Sequence, residues 1–348
     1  MPRVDYRGRR AVRIENEALR LTVLEEGGHI AEILDKASGV NPLWTPPWPS
    51  MAPSKYDRAK HPEYGGGVDA ALLAGIMGHN LCLDIFGGPS DAEAAAGLPV
   101  HGEASLVRYE IESSAQTIVQ SAKLSLANLR VERRLQLAGR SVLIEESVEN
   151  LSGVDHAVGW TQHVTLGPPF LQKGVTEFRV SASRSKVFER PFGTADYLVP
   201  GAEFDWPHAP RPDGGTADLR RSSGAPASSA YTAHLMDLRR ETSFFVAFSP
   251  EVRLAFGYVW QRQDFPWLGI WEENASRPAA PWNGATLTRG MEFGASPFPE
   301  TRREMIERGR LFDVSTFRWI PAASRVSVKY AVVVQPGETV PETLDWPA

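Results

Sequence analysis

TIVQSAKLSLANLRVERRLQLAGRSVLIEESVEN, the stretch from Thr117 to Asn150, reads as three runs, Thr117 to Leu126, Leu129 to Leu137 and Ser141 to Asn150. Apolar residues take most alternate positions, which is the mark of half-buried antiparallel strands. The third run is imperfect, because Glu145, Glu146 and Glu149 crowd one half of it. Working outward, similar runs precede it at Ser105 to Glu112 and follow it at His156 to Val164. Strands at this spacing predict a sandwich or a barrel.

The same pattern opens the chain at Ala11 to Ile14, Leu19 to Leu24 and His29 to Leu34, with Asn16-Glu17 and Gly27-Gly28 between the runs. It returns at Tyr231 to Leu238, Thr242 to Phe248, Val252 to Val259, Trp267 to Glu272 and Val326 to Val334. Between Trp44 and Pro99 it gives way to Pro, Gly and Ala; long irregular stretches of this kind are usually functional or cover an edge. Asp69 to Gly75 and Asp91 to Gly97 each predict a short helix with an aspartate near its start. Gly201 to Ser229 reads as a long surface loop, since the strand pattern on both sides is of one kind. The clearest helix is Glu300 to Arg308, with Pro299 near its start and Gly309 as its stop. The expected fold class is therefore mainly β with a few short helices, as one domain over residues 1–348.

Composition narrows the function. Lys plus Arg number 37 against 42 Asp plus Glu, a net charge of -5, which gives no electrostatic case for nucleic acid or an anionic membrane. The single cysteine, Cys82, excludes an internal disulfide. Met1 to Glu17 is charged and lacks the apolar core of a signal peptide, and no run approaches the ~20 apolar residues of a membrane span. A cytoplasmic location is the default expectation.

Two of the eight histidines sit where a strand meets a Gly- or Pro-rich turn, His101 before Gly102 and His163 shortly before Gly167-Pro168-Pro169. Taken singly, such histidines are more often structural than catalytic. Glu292, in Gly290-Met291-Glu292-Phe293-Gly294, is an acid among apolar neighbours, where desolvation raises a carboxyl pKa toward that of a general base; a cap or an ion pair with Arg289 fits the local sequence equally well. His79, Cys82 and Asp84 offer mixed donors but no closed zinc set, and His101-Gly102-Glu103 lacks the paired cysteines of a zinc deaminase, so no metal is expected. Gly65-Gly66-Gly67 is not a phosphate loop, and no Gly-x-Ser-x-Gly elbow occurs. Ten tryptophans are many for this length, and Trp260, Trp267, Trp271 and Trp282 cluster in the last third. A sandwich core takes tryptophan, but so does a sugar site, where rings stack on C–H faces and groups such as those of Trp271-Glu272-Glu273-Asn274 meet hydroxyls.

The order of these segments resembles that of aldose 1-epimerase (galactose mutarotase) domains. The likeness runs from Asn16 to Leu24 and Glu26-Gly27-Gly28-His29-Ile30, through Asp35 to Trp44, His101-Gly102, Arg134 to Asn150 and His163, to Glu292. It implies a large antiparallel β-sandwich of the galactose mutarotase type that binds a small-molecule sugar without a cofactor, as a monomer or homodimer. By resemblance, His101 is a substrate hydrogen-bonding residue, His163 the general acid and Glu292 the general base of anomer interconversion. The Asn-Arg-Ile segment of the family has no counterpart in Gly78-His79-Asn80-Leu81-Cys82-Leu83-Asp84, which leaves His79, Asn80, Asp84 and Arg289, with Trp271 and Glu272, as the expected sugar contacts. A non-catalytic sugar-binding protein on the same fold is the alternative. A third reading is a carbohydrate-processing lyase or hydrolase on this sandwich, and hydrolysis would need Glu272 or Glu273 to face Glu292.

Overall fold

In the computed structural model, which describes residues 3–347, the alternating runs become two antiparallel sheets packed face to face. The larger sheet runs, in spatial order, Arg3–Tyr6, Arg9–Glu15, Leu19–Leu24, Ile30–Asp35, His79–Asp84, His156–Leu166, Leu287–Gly294, Trp267–Asn274, Ser228–Met236, Ala182–Val187 and Glu203–Asp205. Arg318–Ile320 adds a short side pairing to the start of His156–Leu166. The second sheet runs Glu177–Val180, Thr242–Ser249, Leu254–Gln261, Arg325–Pro336, Ser141–Asn150, Leu129–Ala138, Thr117–Leu124 and Glu110–Ser113.

Alternate residues of both sheets meet between them, as the pleat requires. Trp260 of the second sheet stacks on Phe293 of the first with ring centroids 4.3 Å apart, and Trp160, Phe245, Tyr258 and Tyr330 complete the aromatic centre. This core draws on residues from Val12 to Val334, so both ends of the chain share it.

A polar network lies inside that apolar layer. Arg133 Nε donates to Glu146 Oε2 at 2.6 Å, while Trp160 Nε1 and Gln162 Nε2 both donate to Glu146 Oε1 at 2.6 Å. Tyr330 and His79 both bond to Gln162 Oε1, and His79 Nδ1 meets the Tyr258 hydroxyl at 2.9 Å. These side chains cross from one sheet to the other, and mutual hydrogen bonding is what permits their burial.

Several strands depart from the sequence reading, Arg3–Tyr6, Glu177–Val180 and Ala182–Val187 among them. His79–Asp84 lies inside the stretch read as irregular, and both it and Leu287–Gly294, for which no strand is expected, are buried along almost their whole length. A strand covered on both faces loses the polar-apolar alternation that signals it. Ser105 to Glu112 divides into a turn at Glu103–Ser105 and a strand at Glu110–Ser113. The surface loop from Gly201 to Ser229 contains a small hairpin, His208–Pro210 with Thr216–Asp218, over a satellite cluster that includes Leu198, Ala209 and Leu219. The late helix spans Arg302–Arg308, capped by reciprocal bonds between Thr301 and Glu304, with Gly309 at φ 62° ending it. Among the described residues no helix is long and apolar enough to cross a membrane.

Candidate active site

The outer face of the larger sheet carries the site. His156–Leu166 and Leu287–Gly294 are neighbours, and their register sets His163 directly opposite Glu292. Residues opposite one another in an antiparallel pair point to the same face. The side chains converge there, His163 Nε2 lying 3.1 Å from Glu292 Oε1, and both are buried. His163 Nδ1 rests against the Thr165 hydroxyl at 3.1 Å, which fixes the ring.

Two glycines make room for the carboxylate. A Cβ on Gly290 would fall 2.4 Å from Glu292 Oε1, and one on Gly269, the register partner of Glu292 on the next strand, would fall 2.0 Å from the Tyr231 hydroxyl. Neither glycine has a positive φ, so space rather than backbone conformation requires them. The Tyr231 hydroxyl thus sits buried beside the Glu292 carboxylate, where its hydrogen bond partly offsets the effect of burial on that carboxyl.

His101 arrives from a loop. Its backbone has φ 66°, and Gly102 follows at φ 74°, where a Cβ would collide with the Leu83 carbonyl. Left-handed backbone at a non-glycine residue is uncommon and persists where surrounding bonds hold it. Three do so here: His101 N–H donates to the Gly87 carbonyl, its carbonyl accepts from Leu83 N–H, and its Nδ1 donates to the Phe86 carbonyl. That last bond leaves Nε2 as the free nitrogen, and the ring stands 5.3 Å from that of His163, centroid to centroid.

These three side chains line one cavity, open at its mouth. Its walls are aromatic and aliphatic. Trp271, Trp282, Phe192 and Tyr231 contribute rings, and Leu72, Leu73 and Ile76 come from the short helix Ala70–Gly75 and its end. Trp282 is itself braced by Trp44, stacked at 6.1 Å, and by Trp48, edge-on at 5.0 Å. Asp69 and Arg277 supply charge, with the Arg277 guanidinium 4.8 Å from the Trp282 ring centre and 3.3 Å from Glu273.

Burial in this apolar enclosure dominates the titration of the pair. It pushes the Glu292 carboxyl up to about 8, and it drives His163 well below the usual imidazole range, with His101 adding to the effect. His101 is lowered as well, chiefly by burial. Near neutral pH the pair therefore holds one proton, written either as a carboxylic acid beside a neutral imidazole or as a carboxylate beside an imidazolium. A polar ligand in the cavity favours the second form, because it solvates the charges that burial penalises.

Of the residues expected from sequence, His101, His163, Glu292 and Trp271 line the cavity together, and five do not. His79 is the neighbour, across the strand pair, of Val164 rather than His163, so it points into the core and belongs to the Gln162 network. Glu272 and Arg289 are register partners on that same inner face. There Glu272 binds Ser228 and the Ser223 N–H, while Arg289 donates to the Leu219 carbonyl over the Phe178 ring. One residue of offset in a strand turns a side chain to the other face. Asn80 is on the outer face but sealed beneath the Glu103–Ser105 turn, donating to Ser105. Asp84 is turned away at φ 83° into an ion cluster with His156 and Arg302. Cys82 is buried, its thiol pushed up by burial and by the charge of Glu292, and Trp260 and Trp267 pack in the interior.

The cavity adds Asp69, Phe192, Tyr231 and Arg277, which the sequence reading does not single out as ligand contacts. They come from loops and from a fully buried strand, where no periodicity points to them. Among the described residues no group of three or more His, Cys, Asp or Glu side chains is arranged to hold a metal ion.

Comparison with solved structures yields the same architecture. The chain matches a Klebsiella pneumoniae protein assigned provisionally as an aldose 1-epimerase, with a TM-score of 0.65 at 14% identity over 95% of this chain and 80% of that one. It matches a galactose mutarotase-like protein from Clostridium acetobutylicum with a TM-score of 0.62 at 12% identity, over 96% and 98% of the two chains. The Slr1438 protein of Synechocystis matches with a TM-score of 0.62 at 14% identity, over 97% and 100%. No family model matches the sequence, and no curated protein does. At these identities the likeness establishes the fold, a galactose mutarotase-like β-sandwich, and leaves activity to the site itself.

Proposed function

We propose that this protein is a sugar mutarotase, interconverting the anomers of an aldose by acid-base ring opening. The observation that carries the reading is the His163–Glu292 pair, 3.1 Å apart on the floor of an aromatic cavity with His101 beside it. Anomer exchange needs one group to take the proton of the C1 hydroxyl and another to protonate the ring oxygen. These two oxygens share one carbon, so the acid and the base must also be close neighbours. Glu292 as carboxylate takes the hydroxyl proton, and His163 as imidazolium gives its proton to the ring oxygen. The ring opens, the C1–C2 bond rotates, and closure with the roles reversed delivers the other anomer. The net proton count of the pair is unchanged over the cycle, and no cofactor enters.

Trp271 and Trp282 offer faces for the C–H side of a pyranose, while Asp69, Arg277 and His101 Nε2 are placed for its hydroxyls. Hydrolysis through Glu272 or Glu273 lacks this support. Glu272 points to the opposite face, and the Glu273 carboxylate is occupied by the Ser276 N–H and hydroxyl and by Arg277. Polarimetry or proton exchange NMR on freshly dissolved aldoses tests the proposal: anomer equilibration faster than the spontaneous rate supports it. Ligand binding without acceleration for any sugar would make this a sugar-binding protein instead.

A further inference from the structure

Resting on that reading, the cavity also carries information about which aldose it takes. The reacting end of the sugar uses Glu292, His163 and His101. Hydroxyls on the other ring carbons find Asp69, whose side chain caps no helix N–H, and Arg277 at the rim. One further polar group in the lining is buried and lacks a partner, the indole N–H of Trp271, while the Tyr231 hydroxyl is engaged by Glu292. Apart from the indole of Trp282, the remaining side chains of the wall are apolar. Leu72, Leu73 and Ile76 face the cavity from the short helix and its C-terminal cap, and Val100, next to His101, packs against the same apolar cluster.

We infer that the substrate is an aldose bearing a methyl group where common hexoses bear a hydroxymethyl, a 6-deoxyhexose, with that methyl against Leu72, Leu73, Ile76 and Val100. An exocyclic hydroxyl pushed against this aliphatic wall is dehydrated without a replacement partner, whereas a methyl group gains by leaving water. Discrimination of this kind between a methyl and a hydroxyl-bearing group in an apolar pocket is on the order of tenfold to a hundredfold in kcat/KM.

The test uses matched pairs that differ only in that hydroxyl: D-fucose with D-galactose, 6-deoxy-D-glucose with D-glucose, L-rhamnose with L-mannose, and L-fucose with L-galactose. Anomer exchange rates by NMR should favour the deoxy member of at least one pair by about tenfold or more. The substitutions Leu72→Asn and Val100→Thr should each narrow that preference; Val100 is only half-buried, so its variant is the one expected to fold unimpaired. Equal rates within every accelerated pair, or rates favouring the hydroxymethyl sugar, would overturn the inference while leaving the mutarotase reading intact. If no sugar is accelerated, the mutarotase reading falls, and quenching of Trp271 and Trp282 fluorescence by the same pairs decides the inference. Tighter binding of the deoxy member then upholds it, and equal or absent binding overturns it.

Discussion

His163 and Glu292 are register partners on adjacent antiparallel strands, and their side chains meet at 3.1 Å on the cleft face of the larger sheet. Rigid neighbouring strands hold an acid and a base more closely than loops would, and the pleat sends both to one side.

Replacing either member removes one of two proton transfers. Glu292→Gln and His163→Asn should each lower the anomerisation kcat by ~10²-fold or more, since general acid-base groups contribute on that scale. Far-ultraviolet circular dichroism should remain that of the wild type. Unchanged rates in both variants would remove the pair from the mechanism.

The shared proton sets the pH profile. Glu292 titrates near 8 in the folded protein, so above that value the pair loses its only proton and activity falls. His163 is depressed by burial, so the second proton is taken up only well below the usual imidazole value of ~6.5. The expected kcat/KM profile is flat through mildly acidic pH with an alkaline limb near 8. An acid limb centred near the ordinary histidine value would contradict this assignment.

The raised Glu292 pKa also has a stability consequence. Its folded-state pKa lies above its unfolded value, so its contribution is fully present below about 4.3 and is lost as pH rises through about 8. Glutamine at this position suffers no such loss. The Tm of Glu292→Gln should therefore exceed that of the wild type by a margin that widens from pH 5 to pH 8 and then levels, as differential scanning calorimetry would record. A margin that stays constant with pH would show that Glu292 is ionised in the folded protein throughout.

Gly290 tests the positioning of the carboxylate. Gly290→Ala puts a methyl where Glu292 Oε1 now lies, and misplacement of a catalytic group by about an ångström costs up to ~10²-fold in rate. The loss should appear in kcat, with KM changed little and the fold retained. A fully active Gly290→Ala would mean that the carboxylate position is not critical.

Glu146 and Glu149 lie on one strand and separate burial from charge pairing. Glu146 is fully buried against Arg133 at 2.6 Å, whereas Glu149 meets Arg325 at the surface at 3.0 Å. Glu146→Ala leaves a buried guanidinium unpaired and should cost about 3–5 kcal/mol in urea unfolding. Glu149→Ala should cost about 0–1 kcal/mol. Similar losses in the two variants would mean that the inter-sheet network does not behave as a buried unit.

Strands with one wet face were legible in the sequence, because Thr117–Leu124 and Leu129–Ala138 alternate between solvent and core and write that period into their residues. The residues Glu292, His163 and His101 were legible through resemblance and through their settings between glycines and turns. His79–Asp84 and Leu287–Gly294 were not, since burial on both faces erases the period; without it, the inner-face residues His79, Glu272 and Arg289 could not be told from their outward-facing neighbours. The sequence by itself determined a mainly β chain with an acid set among apolar neighbours and two turn-flanking histidines. Only the tertiary structure decided that these three share one cavity, and that Asp69, Arg277 and Tyr231 join them. Local sequence carries the parity of a strand only when one face meets water, and which loops close over a sheet depends on contacts far apart in the chain.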